Sequence, residues 1–453
     1  MPLERDSELQ EELLSFRASA AATSEWIANF LGRLPELPVL AQVEPGEVRS
    51  QLPAAPPEQG EPFSAVLEDL GQIVLPGLTH WNHPRFFAYF PTTTSEPGIL
   101  AEMLIASLNV NAMLWRSSPA ATELEQLALG WLGQLLGLPS EWFGHIEDTA
   151  STSTLSALAA AREAGGGRRA VLCSEEAHSS VAKACRLLEL ELRTTSVDDA
   201  FRMRVDVLEQ ELAKGDVCAV TATVGTTSTT SVDPLPEIGR LCKEHSAWLH
   251  VDGAYGGSAA ICPELSWALD GIELADSFVV NAHKWLLTPM DCSCLYTARP
   301  DDLRAAFSLV PEYLRAPEEA LNLMEYGPAL GRRMRGLKLW AVLRWYGREG
   351  LQKAIRNSVE LAALVEELVL ADDRFELCAP RPFSTVCFRL KGSDEANEAL
   401  LERLNSSGVA FLSHTRLRDQ FVIRWAIGNA RTSEADIRLT WQAIEQAVES
   451  KSP

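Results

Sequence analysis

"DSFVVNAHKWLLTPMDCS", residues 276–293, decides both the fold and the chemistry of this chain. Its first part, "SFVVNA" (277–282), has the length and apolar content of a short buried strand. His283 and Lys284 follow at once. An ammonium is costly to bury, so a lysine at a strand end is either a solvated turn residue or a reactive amine held in a pocket. The choice depends on what the rest of the chain places beside it.

Working outward, other short apolar runs recur between helical stretches. "RAVLCS" (169–174), "VCAVTATV" (217–224) and "AWLHVD" (247–252) read as strands. "TSTLSALAAAREA" (152–164), "SSVAKACRLLEL" (179–190), "VDVLEQELAKG" (205–215) and "LPEIGRLCKEH" (235–245) read as helices. This alternation predicts an α/β fold with a mostly parallel sheet covered on both faces. In such sheets ligands bind beyond the carboxyl ends of the strands. That rule selects Ser174–His178, Gly225–Thr227, Asp252–Tyr255 and His283–Lys284.

The flanks are organised differently. Residues 1–40 read as helical, and 37–62, rich in proline and polar residues, as an extended arm. A long helical stretch (330–370) is interrupted near Gly347–Gly350, and the last 80 or so residues alternate again as a small α+β unit. The expected domains are an N-terminal helical and extended dimerisation arm (1–85), a large cofactor-binding domain (86–360) and a small C-terminal α+β domain (361–453).

Composition excludes several classes of function. The formal charge is −22, with 62 acids against 40 bases, which disfavours nucleic acid and anionic membrane surfaces. No apolar run reaches the roughly 20 residues a membrane span needs. The nine cysteines are scattered with no C-x-x-C, which suits reduced thiols and a cytoplasmic protein. His80 and His83 form an H-x-x-H, but "WNHPRFF" around them is not helical, so no metal is expected. There is no G-x-S-x-G, Walker or G-x-G-x-x-G motif.

The strand-end residues suit one carbonyl cofactor, pyridoxal phosphate. Lys284 supplies the amine. Asp252 is placed to keep a pyridine nitrogen protonated, and His178 to stack on the ring. Thr149, Ala150 and Ser151 open a helix, where free N–H groups and the dipole favour a phosphate. His283 adds a further phosphate contact. Taken singly, each is more often a surface charge, a cap or a packed polar residue; their order along the chain carries the weight.

At these residues the chain resembles the group II pyridoxal-phosphate-dependent amino acid decarboxylases, in the aromatic-L-amino-acid decarboxylase branch. The matching stretches include "HWNHPRFFAYFPT" (80–92), "TASTSTLSALAAARE" (149–163), "ATVGTTSTTSVDPL" (222–235), "HVDGAYGGSAAICPE" (250–264), "NAHKWLLTPMDCS" (281–293) and "LGRRMRGLKLW" (330–340). The resemblance implies a fold-type I homodimer with shared active sites and aromatic L-amino acids as substrates. It places Ala254 beneath the cofactor ring, Asn281 on the phosphate and Thr226 near the substrate. Trp81, Tyr89, Phe90, Pro91 and Thr92 become the pocket wall, with Asn111 and Met113 reached from the other subunit. No basic contact for a distal carboxylate is evident, which argues against a glutamate decarboxylase.

One departure stands out. In "NLMEYGPALGRR" (322–333), Leu323 occupies the position where the resemblance implies a proton-donating loop tyrosine; Tyr326 matches a second tyrosine. Leucine carries no proton. Three expectations follow: protonation by Tyr326 or His178, impaired decarboxylation, or diversion by oxygen to an aldehyde. A catalytically dead binding homologue is disfavoured by the intact Lys284, Asp252 and His178.

Overall fold

The computed structural model describes residues 2–308 and 320–449. A seven-stranded sheet forms its centre, from β1 (Phe143–Glu147), β2 (Ala170–Ser174), β3 (Glu191–Thr195), β4 (Val217–Thr223), β5 (Trp248–Asp252), β6 (Ser277–Asn281) and β7 (Ser293–Thr297). Their order is β1-β7-β6-β5-β4-β2-β3. β3, β2, β4, β5 and β6 run parallel, whereas β7 is antiparallel to both neighbours. The reversal has a simple cause. The link 282–292 is too short for a helical crossover, which a parallel return requires.

β4, β5 and β6 are buried at every position, as expected of strands covered on both faces. One face carries the helix Ala150–Ala164, in which Ala157, Ala159, Ala160 and Ala161 are buried. These small side chains let the helix lie close to the sheet, and that close approach sets its N-terminus at the strand ends. Forcing larger residues into such a seam costs about 1–3 kcal/mol.

Three strands of this sheet were not legible in the sequence. β1 ("FGHIE") and β3 ("ELRTT") are short and polar, and β7 ("SCLYT") is built of small residues. β1 buries its polar groups in pairs. The Arg332 guanidinium donates to Glu125 Oε1 at 2.8 Å and to Ile146 O at 2.6 Å, and His145 faces Glu147 at 3.5 Å.

The C-terminal unit is an antiparallel sheet of β8 (Phe375–Leu377), β9 (Thr385–Leu390), β10 (Ser413–Leu417) and β11 (Gln420–Ala426), in the order β10-β11-β9-β8. Helices Asp394–Ser406 and Glu434–Glu449 accompany it. The helix Gly336–Ala371 joins the two units, running through the expected boundary at 360, and breaks at Gly347, where φ is 59°. The N-terminal helix spans Pro2–Arg33. No helix of the described residues is long and apolar enough to cross a membrane.

Candidate active site

The carboxyl ends of β4, β5 and β6 and the start of helix Ala150–Ala164 meet around a cavity of about 300 Å³. It is lined by Trp81, Tyr89, Phe90, Thr92, Thr149, Ala150, Ser151, His178, Asp252, Ala254, Asn281, His283 and Lys284, together with Gly225, Thr227, Tyr255, Met290 and Arg424. Gly225 (φ +87°) is needed here: a Cβ would lie 3.0 Å from the Gly256 backbone, which closes the floor.

Lys284 stands at the floor with Nζ 5.2 Å from the Phe90 ring centre. Burial pushes its ammonium below the ordinary lysine range, against the pull of Asp252, and Arg424 adds to the depression. The result is an amine poised as a nucleophile. Asp252 accepts the Ala254 N–H on Oδ1 at 3.0 Å, leaving Oδ2 for a cation. His178 lies at the rim, its Nδ1 accepting the Ser180 N–H at 3.2 Å.

An anion seat lies opposite. Thr152 and Ser153 donate their N–H groups back to Thr149 O, whereas Ala150 and Ser151, at the first turn, have no carbonyl four residues back within the helix. His283 Nδ1 lies 2.9 Å from Cys292 N and 3.0 Å from Cys292 O, so the Cys292 backbone fixes the ring. Burial holds this imidazole neutral, pulled down to about 4. Asn281 is buried with Oδ1 unpartnered. Amine, carboxylate and phosphate-sized donor set fit pyridoxal phosphate. When bound, it supplies an electron sink for charge left at the substrate's α-carbon.

Residues 45–391 match the pyridoxal-dependent decarboxylase conserved domain. The chain belongs to the pyridoxal-dependent decarboxylase family. Aromatic-L-amino-acid decarboxylase of Sus scrofa is 42% identical, over 95% of each chain. Phenylacetaldehyde synthase of Arabidopsis thaliana is 40% identical, over 93% of each. The crystal structure of Oryza sativa TDC with PLP and tryptamine superposes with a TM-score of 0.93 at 37% identity, covering 96% of this chain and 97% of that one. The protein is thus a pyridoxal-phosphate-dependent carboxy-lyase.

Thr226, Pro91 and Tyr326 do not line this decarboxylase cavity, and Asn111 and Met113, expected to act from the other subunit, lie outside it as well. Thr226 turns into the loop after β4, where its hydroxyl accepts the Ser231 N–H at 3.1 Å; Thr227 lines the cavity instead. Pro91 packs towards Gly428. Asn111 and Met113 sit by the 322–333 loop, with Asn111 Oδ1 accepting the Arg332 N–H at 3.0 Å and Met113 O accepting the Met324 N–H at 3.1 Å. Tyr326 packs at a tilt of 37° against Phe143, ring centres 4.4 Å apart. Leu323 is fully buried, and Glu325 pins the loop through Arg304 and Asn322. His83 Nδ1 accepts the Arg85 N–H at 2.9 Å, and no cluster of three or more metal-ligating side chains occurs among the described residues.

The sequence reading missed Arg424. It projects from β11 of the small unit, donating Nε–H to Thr227 O at 2.8 Å and Nη1–H to Ala88 O at 3.0 Å. Its Nη2 has no partner, and the guanidinium lies 4.6 Å over the Phe90 ring. A charge inside the apolar run "QFVIRWAIG" was the available signal, because buried arginines are rare unless they are paired.

Proposed function

We propose that the protein decarboxylates aromatic L-amino acids, releasing carbon dioxide and the amine. One observation supports this most. Trp81 and Tyr89, ring centres 5.6 Å apart, form with Phe90 an aromatic wall facing Lys284 across a cavity that also holds an unpartnered guanidinium. The wall suits a flat apolar side chain. The Arg424 Nη2–H donors suit the α-carboxylate, and Lys284 suits the amine. Thr149 to Ser151, Asn281 and His283 would hold the phosphate, Asp252 the ring nitrogen and His178 the ring face.

A second reading rests on the loop. Leu323 has no proton to give, and Tyr326 faces Phe143 rather than the cavity. Oxygen would then compete with protonation for the electron pair at the α-carbon. The balanced outcome is amino acid plus O₂ plus H₂O giving aldehyde, CO₂, NH₃ and H₂O₂. The first reading predicts amine equal to CO₂ when the protein is given tryptophan, phenylalanine, tyrosine or dihydroxyphenylalanine. The second predicts ammonia and peroxide equal to CO₂. No CO₂ from any of the four contradicts both.

We further propose a homodimer with shared sites. Trp81, Tyr89 and Met290 are 39%, 50% and 58% exposed at the cavity mouth. The helix Glu96–Leu108 presents Leu100, Met103, Leu104 and Leu108 to solvent. Contiguous exposed apolar surface of this kind is what a second copy covers. Light scattering that gives a monomer mass at micromolar concentration contradicts it.

A further inference from the structure

A network of charge grips segment 286–292, which follows Lys284 and leads into β7. The Lys338 ammonium, fully buried near the start of helix Gly336–Ala371, donates to Glu102 Oε1 at 2.6 Å and lies 3.6 Å from Asp291 Oδ1. Arg335 closes on the same aspartate with two bonds, Nε–H to Oδ1 at 3.1 Å and Nη2–H to Oδ2 at 2.8 Å. Asp291 is thus held by two cations. The next residue, Cys292, holds the His283 ring between its N and O, and its carbonyl also accepts the His283 N–H at 3.3 Å.

The same segment is seated on the start of helix Glu96–Leu108. Ser95 Oγ–H donates to Leu287 O at 2.7 Å, and Gly98 lies so close to Pro289 that a Cβ would not fit. Gly98 and Glu102 stand about one helical turn apart and so share a face. Positions 287, 289 and 291 are therefore each fixed from outside, and the residue after them orients an imidazole that lines the cavity. Stability alone does not call for such a network. The cost of taking charges out of water offsets most of their mutual attraction, and apolar packing often serves a fold as well. What a guanidinium on a carboxylate supplies is direction, because its planar fork sets both distance and angle.

We propose that Lys338 and Arg335 are positioning residues for the phosphate seat: through Asp291 they fix segment 286–292 so that the Cys292 backbone aims His283 at the phosphate. The inference rests on the cofactor assignment above. It adds residues that reach the ligand only through others. A purely structural role would require only that the network hold the fold together.

Two measurements separate these roles. In the protein without cofactor, amide hydrogen exchange in residues 286–292 is expected to quicken about tenfold in Lys338→Met and in Asp291→Asn, with β4 and β5 as slow as in the parent. Parental exchange in that segment, or equal quickening throughout the sheet, overturns the proposal whether or not the cofactor assignment stands. The second measurement compares the affinities for pyridoxal phosphate and for pyridoxal, which lacks the phosphate, by fluorescence titration. Each variant is expected to bind pyridoxal phosphate about tenfold more weakly than the parent and pyridoxal as the parent does. Parental affinity for both ligands, or an equal loss for both, overturns the proposal. The double variant should bind no more weakly than Asp291→Asn, because Lys338 acts through that carboxylate; additive losses overturn it. If Lys338→Met does not fold, Arg335→Gln, on the same carboxylate, decides by the same two measurements. A parent protein that binds pyridoxal phosphate no better than pyridoxal overturns the cofactor assignment, and the proposal with it, before any variant is made.

Discussion

The strand ends and the 322–327 loop face the same chemistry from opposite positions. At the ends of β4, β5 and β6, residues from distant parts of the chain converge on one cavity, each held by backbone that the sheet fixes. Residues 322–327 bring no proton-carrying group into that cavity; the leucine is buried in the protein body and the tyrosine packs against Phe143. On the proposed function, breaking the bond to CO₂ and deciding the fate of the electrons left behind are encoded separately. A rigid scaffold carries the residues proposed for the first, and the proposal above assigns the second to one loop position.

Asp252 lies on the rigid side, and its loss should be the largest effect. Asp252→Ala is expected to lower kcat about 10³-fold with folding intact, because the ring nitrogen loses its counter-ion. A loss of under tenfold breaks the assignment. Arg424→Met should come next. It removes the donor set offered to the α-carboxylate, so KM is expected to rise about 10- to 100-fold, as for one lost charge-assisted contact. An unchanged KM would place the carboxylate elsewhere.

The loop side predicts a smaller, directional change. Leu323→Tyr puts a larger side chain into a filled site, which costs about 1–3 kcal/mol in place and favours release of the loop. The amine share of total product is expected to rise by a few-fold, measured by amine, ammonia and peroxide in one assay. An unchanged product ratio would show that the position does not control proton return.

Acid stability sharpens the same contrast. His83, His250 and His283, all buried, are pulled down to about 4 from an ordinary 6.5. The unfolded chain therefore binds more protons than the folded one between those values, so stability falls as pH drops from 6.5 towards 4. Thermal melts should lose several degrees across that window. A flat profile would mean that these rings are already charged in the fold.

Much of this was legible before the structure. The apolar runs of β4, β5 and β6 are long enough to betray strands, and each ends at a residue that lines the cavity. Asp252 and Lys284 stand at the ends of β5 and β6, His178 follows β2, and Thr149 to Ser151 open a helix that the sequence shows; topology makes such positions predictable. β1, β3 and β7 were hidden because short polar or small-residue strands carry no periodic signal. Arg424 was hidden for another reason: it reaches the cavity from a separate sheet, across a fold-back of about 200 residues from Thr227, whose carbonyl it holds. Thr226 and Thr227 show the limit of resolution, since a one-residue shift in a turn exchanges which hydroxyl faces the cavity.

One measurement tests the central claim most directly. Borohydride reduction of the protein reconstituted with pyridoxal phosphate, followed by peptide mass analysis, should place a stable phosphopyridoxyl mass on Lys284 alone. A tag on any other lysine, or no tag on a yellow protein, would contradict the account.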